Sequence, residues 1–161
     1  MNAVNVYVRP LEDGESETVL AVFDGLHARS RELRFLAPKF RLTAAALCDL
    51  THVDGHDRVA LVAELPDGRP VGIARFVRDP GDATVADMAV AVVDGWQRRG
   101  VGVALTRALA ECARRLAVGR FTVLMLRDNE GAARLMRRAG NAVHPVSLDD
   151  HSAEFEISLA G

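Results

Sequence analysis

The stretch Gln97-Arg98-Arg99-Gly100-Val101-Gly102 lies between an apolar, strand-like run and an amphipathic helix. Its two glycines leave the backbone without bulky side chains, so several N–H groups can converge on one anion. The positive end of the following helix dipole acts at the same place. This stretch therefore predicts a pyrophosphate-binding turn between a strand and a helix.

Two better-known phosphate loops do not fit this turn. A Walker loop carries Lys-Ser or Lys-Thr after its last glycine, whereas Gly102 is followed by Val103-Ala104. A dinucleotide-binding fingerprint begins with glycine, and Gln97 occupies that position. The remaining pattern is Q-x-x-G-x-G at the start of a helix. The alternative interpretation is that the glycines only allow the chain to change direction at this turn.

Composition excludes several classes of function. A chain of 161 residues is expected to form one domain with a buried core, and a formal net charge of −2 gives no basic surface for nucleic acid. There is no apolar run of membrane-spanning length, and the first residues do not resemble a signal peptide. Cys48 and Cys112 are isolated, so no zinc site is expected. These features predict a cytoplasmic protein that uses no metal and has no nucleic-acid or membrane partner.

Hydrophobic periodicity predicts a series of strands and helices. Strands are expected at 4–8, 58–64, 71–77, 84–93, 121–126, 141–147 and 153–159, and helices at 15–26, 28–36, 43–50, 101–117 and 128–138. The first strand is expected to stop at Pro10, and the last helix to end at Gly140. Three strands joined by short turns, followed by one β-α-β crossover, predict an α/β fold with a mixed, mostly antiparallel sheet flanked by helices.

The Q-x-x-G-x-G turn and this element order resemble the coenzyme A signature and the fold of the GNAT superfamily of N-acetyltransferases. Asn129, followed at the expected spacing by Ala132, Leu135 and Gly140, is similar to the second GNAT motif. Four more segments resemble the catalytic domains of bacterial Pat-type protein lysine acetyltransferases, namely residues 35–38, 54–63, 72–78 and 94–97. On this resemblance residues 1–161 are expected to form a single GNAT-type domain.

The resemblance implies acetyl transfer from acetyl-CoA to a primary amine, with a protein lysine side chain as the favoured acceptor. In GNAT-like folds the strand before the turn diverges from the next one, so that its free N–H and C=O groups bind the pantetheine arm. The coenzyme is accordingly assigned to Val90, Val92, Val93, Arg98, Arg99, Gly100, Val101, Gly102, Val103 and Asn129. Acetyl-CoA is the expected donor, and no metal is expected.

Asp87 is the only acidic residue in the strand run 84–93, at the position of the family's general base, which is usually Glu. A carboxylate there can accept the proton of the attacking amine, through a water if its shorter side chain requires one. Burial would raise its pKa toward a useful range. The competing interpretation is a structural carboxylate satisfied by a neighbouring arginine or N–H. His56 is a candidate contact of Asp87.

Several alternatives stay open. Met136 occupies the position where many GNATs carry a proton-donating Tyr, although Pat-type domains often lack it. Together with the shortened base, it leaves room for an acyl-CoA-binding regulatory or sensor domain with little turnover. Small amines (a polyamine, an amino acid or an antibiotic) are alternative acceptors. Residues 30–35 lie where GNATs usually form the wall of the acceptor site, and they form either a lid or simple packing. Two partly exposed C-terminal edge strands would allow a homodimer.

Overall fold

The computed structural model describes residues 4–139 and 142–159. Within this range the strands are β1 (Tyr7–Pro10), β2 (Arg58–Glu64), β3 (Pro70–Arg78), β4 (Val85–Val92), β5 (Arg120–Leu126), β6 (Ala142–Leu148) and β7 (Ser152–Ser158). The helices are α1 (Ser16–Asp24), α2 (Ala28–Phe35), α3 (Ala44–Thr51), α4 (Val101–Arg115) and α5 (Glu130–Arg138). A short 3-10 turn at 94–96 leads from β4 into the loop before α4.

The strands form one sheet in the order β1-β2-β3-β4-β5-β7-β6. Every neighbouring pair is antiparallel except β4 and β5, which are parallel and joined by the α4 crossover. The predicted mixed, mostly antiparallel α/β fold is therefore confirmed. The main core lies between the sheet and α4, where Phe76, Phe121, Leu105 and Leu109 are almost fully buried. A smaller cluster packs α1 and α3 against the opposite face.

The parallel pair β4–β5 is short, and this feature creates the cleft described below. The two strands are in register only from Val85 to Asp87, where Asp87 lies opposite Thr122. Beyond that point β4 continues to pair with β3 on its other side, up to Val92 opposite Gly72. Because β5 turns away while β4 continues, one edge of β4 loses its partner strand.

Three expectations about strands need correction. The first strand begins at Tyr7 rather than Val4, and it includes Pro10. Proline is tolerated there because the next ladder bond is donated by Leu11 to Ala60, at 2.8 Å, so the nitrogen of Pro10 faces away from β2. The strand 153–159 is not an exposed edge, since β7 lies between β5 and β6 and only β6 is at the edge.

Two predicted boundaries, the helix end at Gly140 and the strand start at Asn141, lie outside the described residues. Among the helices that the structure describes, none has the length and apolar character needed to cross a membrane.

Candidate functional site

A large cleft opens where β4 and β5 diverge. It has a volume of about 690 Å³ and is walled by α2, both strands, the start of α4 and α5. This volume falls within the range of roughly 300–1,000 Å³ that is usual for small-molecule and cofactor sites. Seven of the predicted coenzyme residues line it: Val90, Val92, Arg98, Gly100, Gly102, Val103 and Asn129.

The loop and first turn of α4 present a series of unused backbone donors. The N–H groups of residues 98–103 donate no hydrogen bond to any residue that the structure describes, and the first amide to be satisfied is that of Ala104, bonded to Gly100 O at 3.0 Å. We call this segment the amide turn. Arg98 (φ 60°) and Gly100 (φ 89°) both adopt the left-handed conformation, which bends the loop. Unpaired amides at a helix N-terminus form an anion-binding site.

Two residues of α4 and α5 shape the floor beside the amide turn. A Cβ atom on Gly102 would lie 3.1 Å from the methyl carbons of Leu135, so the glycine allows α5 to approach the start of α4 closely. Asn129 caps α5, because its side-chain oxygen accepts the N–H of Ala132 at 3.1 Å. Gly102 therefore lets α5 lie close to the start of α4, and Asn129 stabilises the N-terminus of α5 beside the cleft.

The free edge of β4 supplies backbone groups to the same cleft. The N–H of Val93 bonds to Val71 O at 2.9 Å, which fixes the alternation of the β3–β4 ladder. Beyond the last paired residues of β5, Val90 and Val92 consequently direct their N–H and C=O groups toward the gap left by β5. The C=O of Val92 is taken by Gln97 Nε2 at 2.9 Å. The side chain of Gln97 thus fastens the amide turn to the end of β4.

Three predicted coenzyme residues do not line the cleft with their side chains. The N–H of Val93 is used by Val71, as described above. The guanidinium carbon of Arg99 lies 4.9 Å from the centre of the Trp96 ring. Val101 is 1% exposed and belongs to the main core. Val101 can therefore contribute to the amide turn through its backbone only.

Asp87 lies where the pairing of β4 and β5 ends, on the sheet face opposite α4. Thr122 Oγ1 donates a hydrogen bond to Asp87 Oδ1 at 3.2 Å. The Asp87 side chain keeps access to solvent, yet the desolvation caused by surrounding atoms raises the pKa of its carboxyl above the ordinary value. The hydrogen bond from Thr122 and the charges of Arg34 and Arg75 oppose this rise in pKa. The carboxyl can therefore exchange protons closer to neutral pH than a free aspartate.

Helix α2 forms the outer wall of the cleft. Asp94, which is remote in sequence, caps this helix by accepting the N–H of His27 at 2.8 Å and the hydroxyl of Ser30 at 3.0 Å. Arg29 Nη2 lies 2.6 Å from Asp128 Oδ2, so an ion pair joins α2 to the loop before α5. Ser30, Leu33 and Arg34 all line the cleft, and the segment 30–35 is thus one of its walls.

The expected contact between His56 and Asp87 is not present. His56 Nδ1 lies 2.7 Å from Asp57 Oδ1, and its ring is exposed at the start of β2. Met136 is buried and lines the cleft with a thioether that has no proton to donate. Among the described residues, no group of three or more His, Cys, Asp or Glu side chains is placed to hold a metal ion.

Sequence reasoning missed several side chains that line or adjoin this cleft. Thr122 and Arg34 come from β5 and α2, and each becomes a neighbour of Asp87 only through folding. The sequence identifies Gln97 only as the first residue of the Q-x-x-G-x-G motif. Its hydrogen bonds to Val92 O and, at 3.3 Å, to Ser30 Oγ depend on the loop geometry. The only sequence feature that could have pointed to Thr122 is that it is a polar residue within an otherwise apolar strand run.

A sequence model described as the acetyltransferase (GNAT) family matches residues 25–140 of this chain. Acetyltransferase Pat of Mycolicibacterium smegmatis is 34% identical over 135 residues, which cover 83% of this chain and 40% of that protein. Acetyltransferase PA5475 of Pseudomonas aeruginosa is 31% identical over 114 residues, covering 69% of this chain and 61% of that protein. The chain therefore spans less than two thirds of the length of either relative.

Solved structures agree with these matches. The crystal structure of the GNAT domain of S. lividans PAT superposes with a TM-score of 0.86 at 29% identity, covering 95% of this chain and 90% of that domain. The cAMP-binding acyltransferase from Mycobacterium smegmatis superposes with a TM-score of 0.65 at 28% identity, covering 97% of this chain and 44% of that protein.

Proposed function

This chain belongs to the GNAT acetyltransferase family, a family of N-acyltransferases, and we propose that it transfers an acetyl group from acetyl-CoA to the side-chain amine of a protein lysine. The observation that carries this proposal is the amide turn, residues 98–103, adjoining the free edge of β4 in one cleft. The sensor domain considered from the sequence is not favoured by these matches, because the named relatives are acetyltransferases.

The amide turn and the free edge of β4 bind different parts of the coenzyme. The amide turn binds the pyrophosphate, because its N–H groups and the α4 dipole attract negative charge. The N–H and C=O groups of Val90 bind the pantetheine arm in the manner of an added strand. The exposed guanidinium of Arg98 adds positive charge at the phosphate end. Asn129 stabilises the N-terminus of α5 at the other wall of the cleft.

Asp87 serves as the general base at the reacting end. It accepts a proton from the acceptor ammonium, directly or through one water, and the free amine attacks the thioester carbonyl carbon. A β4 N–H group in the gap stabilises the negative charge that develops on the carbonyl oxygen. The C–S bond then breaks and the nitrogen gives up its remaining extra proton to solvent, which leaves a neutral amide. CoA leaves as a thiolate, which takes its proton from solvent because Met136 cannot supply one.

The surroundings of Asp87 favour a cationic acceptor presented by a protein. The register places Glu156 opposite Thr122, and Glu154 opposite Leu124, on the same face as Asp87. Glu156 is already paired with Arg120, at 3.5 Å, so Glu154 is the carboxylate available to attract an ammonium group. Leu124 is 48% exposed on this face, which gives a protein acceptor an apolar contact next to the acidic groups.

The proposal is tested by measuring CoA release from acetyl-CoA with lysine-bearing proteins and a panel of small amines, after acetyl-CoA binding has been verified by calorimetry. Asp87→Asn should reduce kcat by roughly 10²–10⁴-fold while the Kd for acetyl-CoA stays within about threefold. Asp82→Asn, which removes the same charge from an exposed turn, is the matched control. Tight binding without turnover on any amine would refute acetyl transfer, and unchanged turnover would refute the role of Asp87.

A further inference from the structure

A second, smaller cavity adjoins the cleft on the α1–α3 side of the sheet. Its volume is about 40 Å³. Its lining is apolar apart from two arginines, Arg34 of α2 and Arg75 of β3, and we call it the arginine cavity. Arg34 and Ala91 also line the main cleft, so the two spaces meet beside β4.

Neither arginine is hydrogen-bonded to an anionic group among the described residues. No described residue accepts a hydrogen bond from the guanidinium of Arg34 or Arg75. The nearest carboxylate to Arg75 is Asp49, 4.0 Å away, and Asp49 is already engaged by Arg58 at 2.7 Å. The guanidinium carbon of Arg34 lies 4.8 Å from the centre of the Phe35 ring.

This lack of partners contrasts with Arg9 and costs free energy. Arg9 donates to both Glu15 and Glu64, each at 2.6 Å. Burial and, second to it, the like charge of Arg75 lower the pKa of Arg34 to about 10. A desolvated cation without a paired anion is unfavourable. An anionic group entering the arginine cavity would offset part of that penalty.

We propose that Arg34 and Arg75 form a subsite that binds a carboxylate group of a substrate at the reacting end of the cleft. This inference rests on the proposed function, because it assigns the carboxylate to one of the two reactants. One buried water needs roughly 10–15 Å³ of space, so about 40 Å³ accommodates about three heavy atoms, the size of a carboxylate. The planar guanidinium of arginine is suited to binding a carboxylate with two hydrogen bonds.

The carboxylate can come from either reactant. Because the cavity meets the cleft at Ala91, next to the β4 edge assigned to the pantetheine arm, a dicarboxylic acyl chain can reach it from the donor side. The charges of Arg34 and Arg75 also lower the pKa of Asp87, so both arginines lie near the proposed base. An acceptor whose amine is at Asp87 and whose carboxylate is close to that amine can therefore reach the arginine cavity from the acceptor side. Both sources use the same chemistry, and two experimental arms separate them.

The donor arm measures binding and needs no turnover. Succinyl-CoA and butyryl-CoA, whose acyl chains have the same number of carbons, are titrated into the wild type by calorimetry. We expect succinyl-CoA to bind about tenfold more tightly, as one hydrogen-bonded charge pair allows. Arg34→Met should abolish this ratio and Arg34→Lys should retain part of it. Arg115→Met, which removes an exposed arginine at the far end of α4, should leave the ratio unchanged.

The acceptor arm compares kcat/KM for methionine and methioninamide with acetyl-CoA as donor. A preference of about tenfold for the free carboxylate, lost in Arg34→Met, would assign the subsite to the acceptor and would replace the protein lysine by an amino acid as the acceptor. The inference is overturned if neither arm shows a carboxylate preference in the wild type, or if the preference survives Arg34→Met in a folded protein. Succinyl-CoA binding that depends on Arg34, with no acetyl transfer to any amine, would refute the proposed function and keep the subsite.

Discussion

The two ends of the cleft are built in different ways. The phosphate end is one continuous segment, the amide turn, and it acts through backbone N–H groups. The reacting end is assembled from separate elements that contribute side chains: Asp87 of β4, Thr122 of β5, Arg75 of β3 and Arg34 of α2. Backbone groups bind the part of the coenzyme that does not react, whereas the side chains at the reacting end set the pKa of the proposed base. Substitutions at the two ends should therefore affect different measurements, binding at the first and turnover at the second.

The largest effect on binding is expected from Gly102→Val at the phosphate end. A Cβ there meets Leu135 at 3.1 Å and lies 3.6 Å from Val92, so the new side chain occupies the cleft beside the amide turn. Calorimetry should show at least a tenfold weaker Kd for acetyl-CoA, since losing one or two hydrogen bonds to a charged group costs about that much or more. At saturating acetyl-CoA, the kcat of this variant should be close to that of the wild type.

Gly95→Val is the matched control for this substitution. A Cβ on Gly95 has no neighbour within 4 Å, although the residue lies in the same connection between β4 and α4. Its Kd for acetyl-CoA should stay within about twofold of the wild type, as for most surface substitutions. If Gly102→Val lowered kcat with an unchanged Kd, the separation between the two ends would fail.

The same contrast explains what could be predicted from the sequence. The amide turn was predictable because its glycines, the preceding strand and the following helix are contiguous in the chain. The fold class was predictable for a similar reason, since each strand and helix shows its own period. The family resemblance also allowed Asp87 to be singled out, although its role remains a proposal.

The side-chain environment of Asp87 was not predictable, because it depends on long-range register. Thr122 reaches Asp87 only because β5 returns parallel to β4, and Arg34 only because Asp94 caps α2 against the cleft. His56 is close in sequence to a strand end, and it bonds to Asp57 instead of Asp87. The position of β7 inside the sheet likewise depends on contacts between residues far apart in the sequence. β7 pairs with β5, and β6 is therefore left at the edge.

A second prediction concerns the pH dependence of turnover at the reacting end. A base must be ionised to act, so kcat/KM should rise with pH through the pKa of Asp87, which desolvation places above the ordinary value. Thr122→Val removes a hydrogen bond that favours the ionised form. The acidic inflection of the pH profile should consequently move to higher pH, while the Kd for acetyl-CoA stays the same.

Thr84→Val provides the matched comparison, because it removes a hydroxyl that bonds to Asp82 in an exposed turn. Its pH profile should overlay that of the wild type. An inflection that moved to lower pH in Thr122→Val, or one that did not move, would mean that Asp87 is not the group whose ionisation limits turnover.

The smallest expected effect concerns the ion pair that links the two walls of the cleft. Arg29→Ala removes the 2.6 Å contact with Asp128, and both side chains are largely exposed, at 52% and 70%. Exposed ion pairs contribute about 0.2–1 kcal/mol, so dissociation of acetyl-CoA measured by stopped-flow should accelerate only about two- to threefold. Because salt screens exposed charges, the difference from the wild type should disappear near 1 M NaCl. Arg115→Ala breaks a comparable surface pair with Glu111, away from the cleft, and should leave the dissociation rate unchanged. Equal rates for Arg29→Ala and the wild type at low salt would show that this ion pair does not retain the coenzyme, leaving retention to the amide turn and the β4 edge.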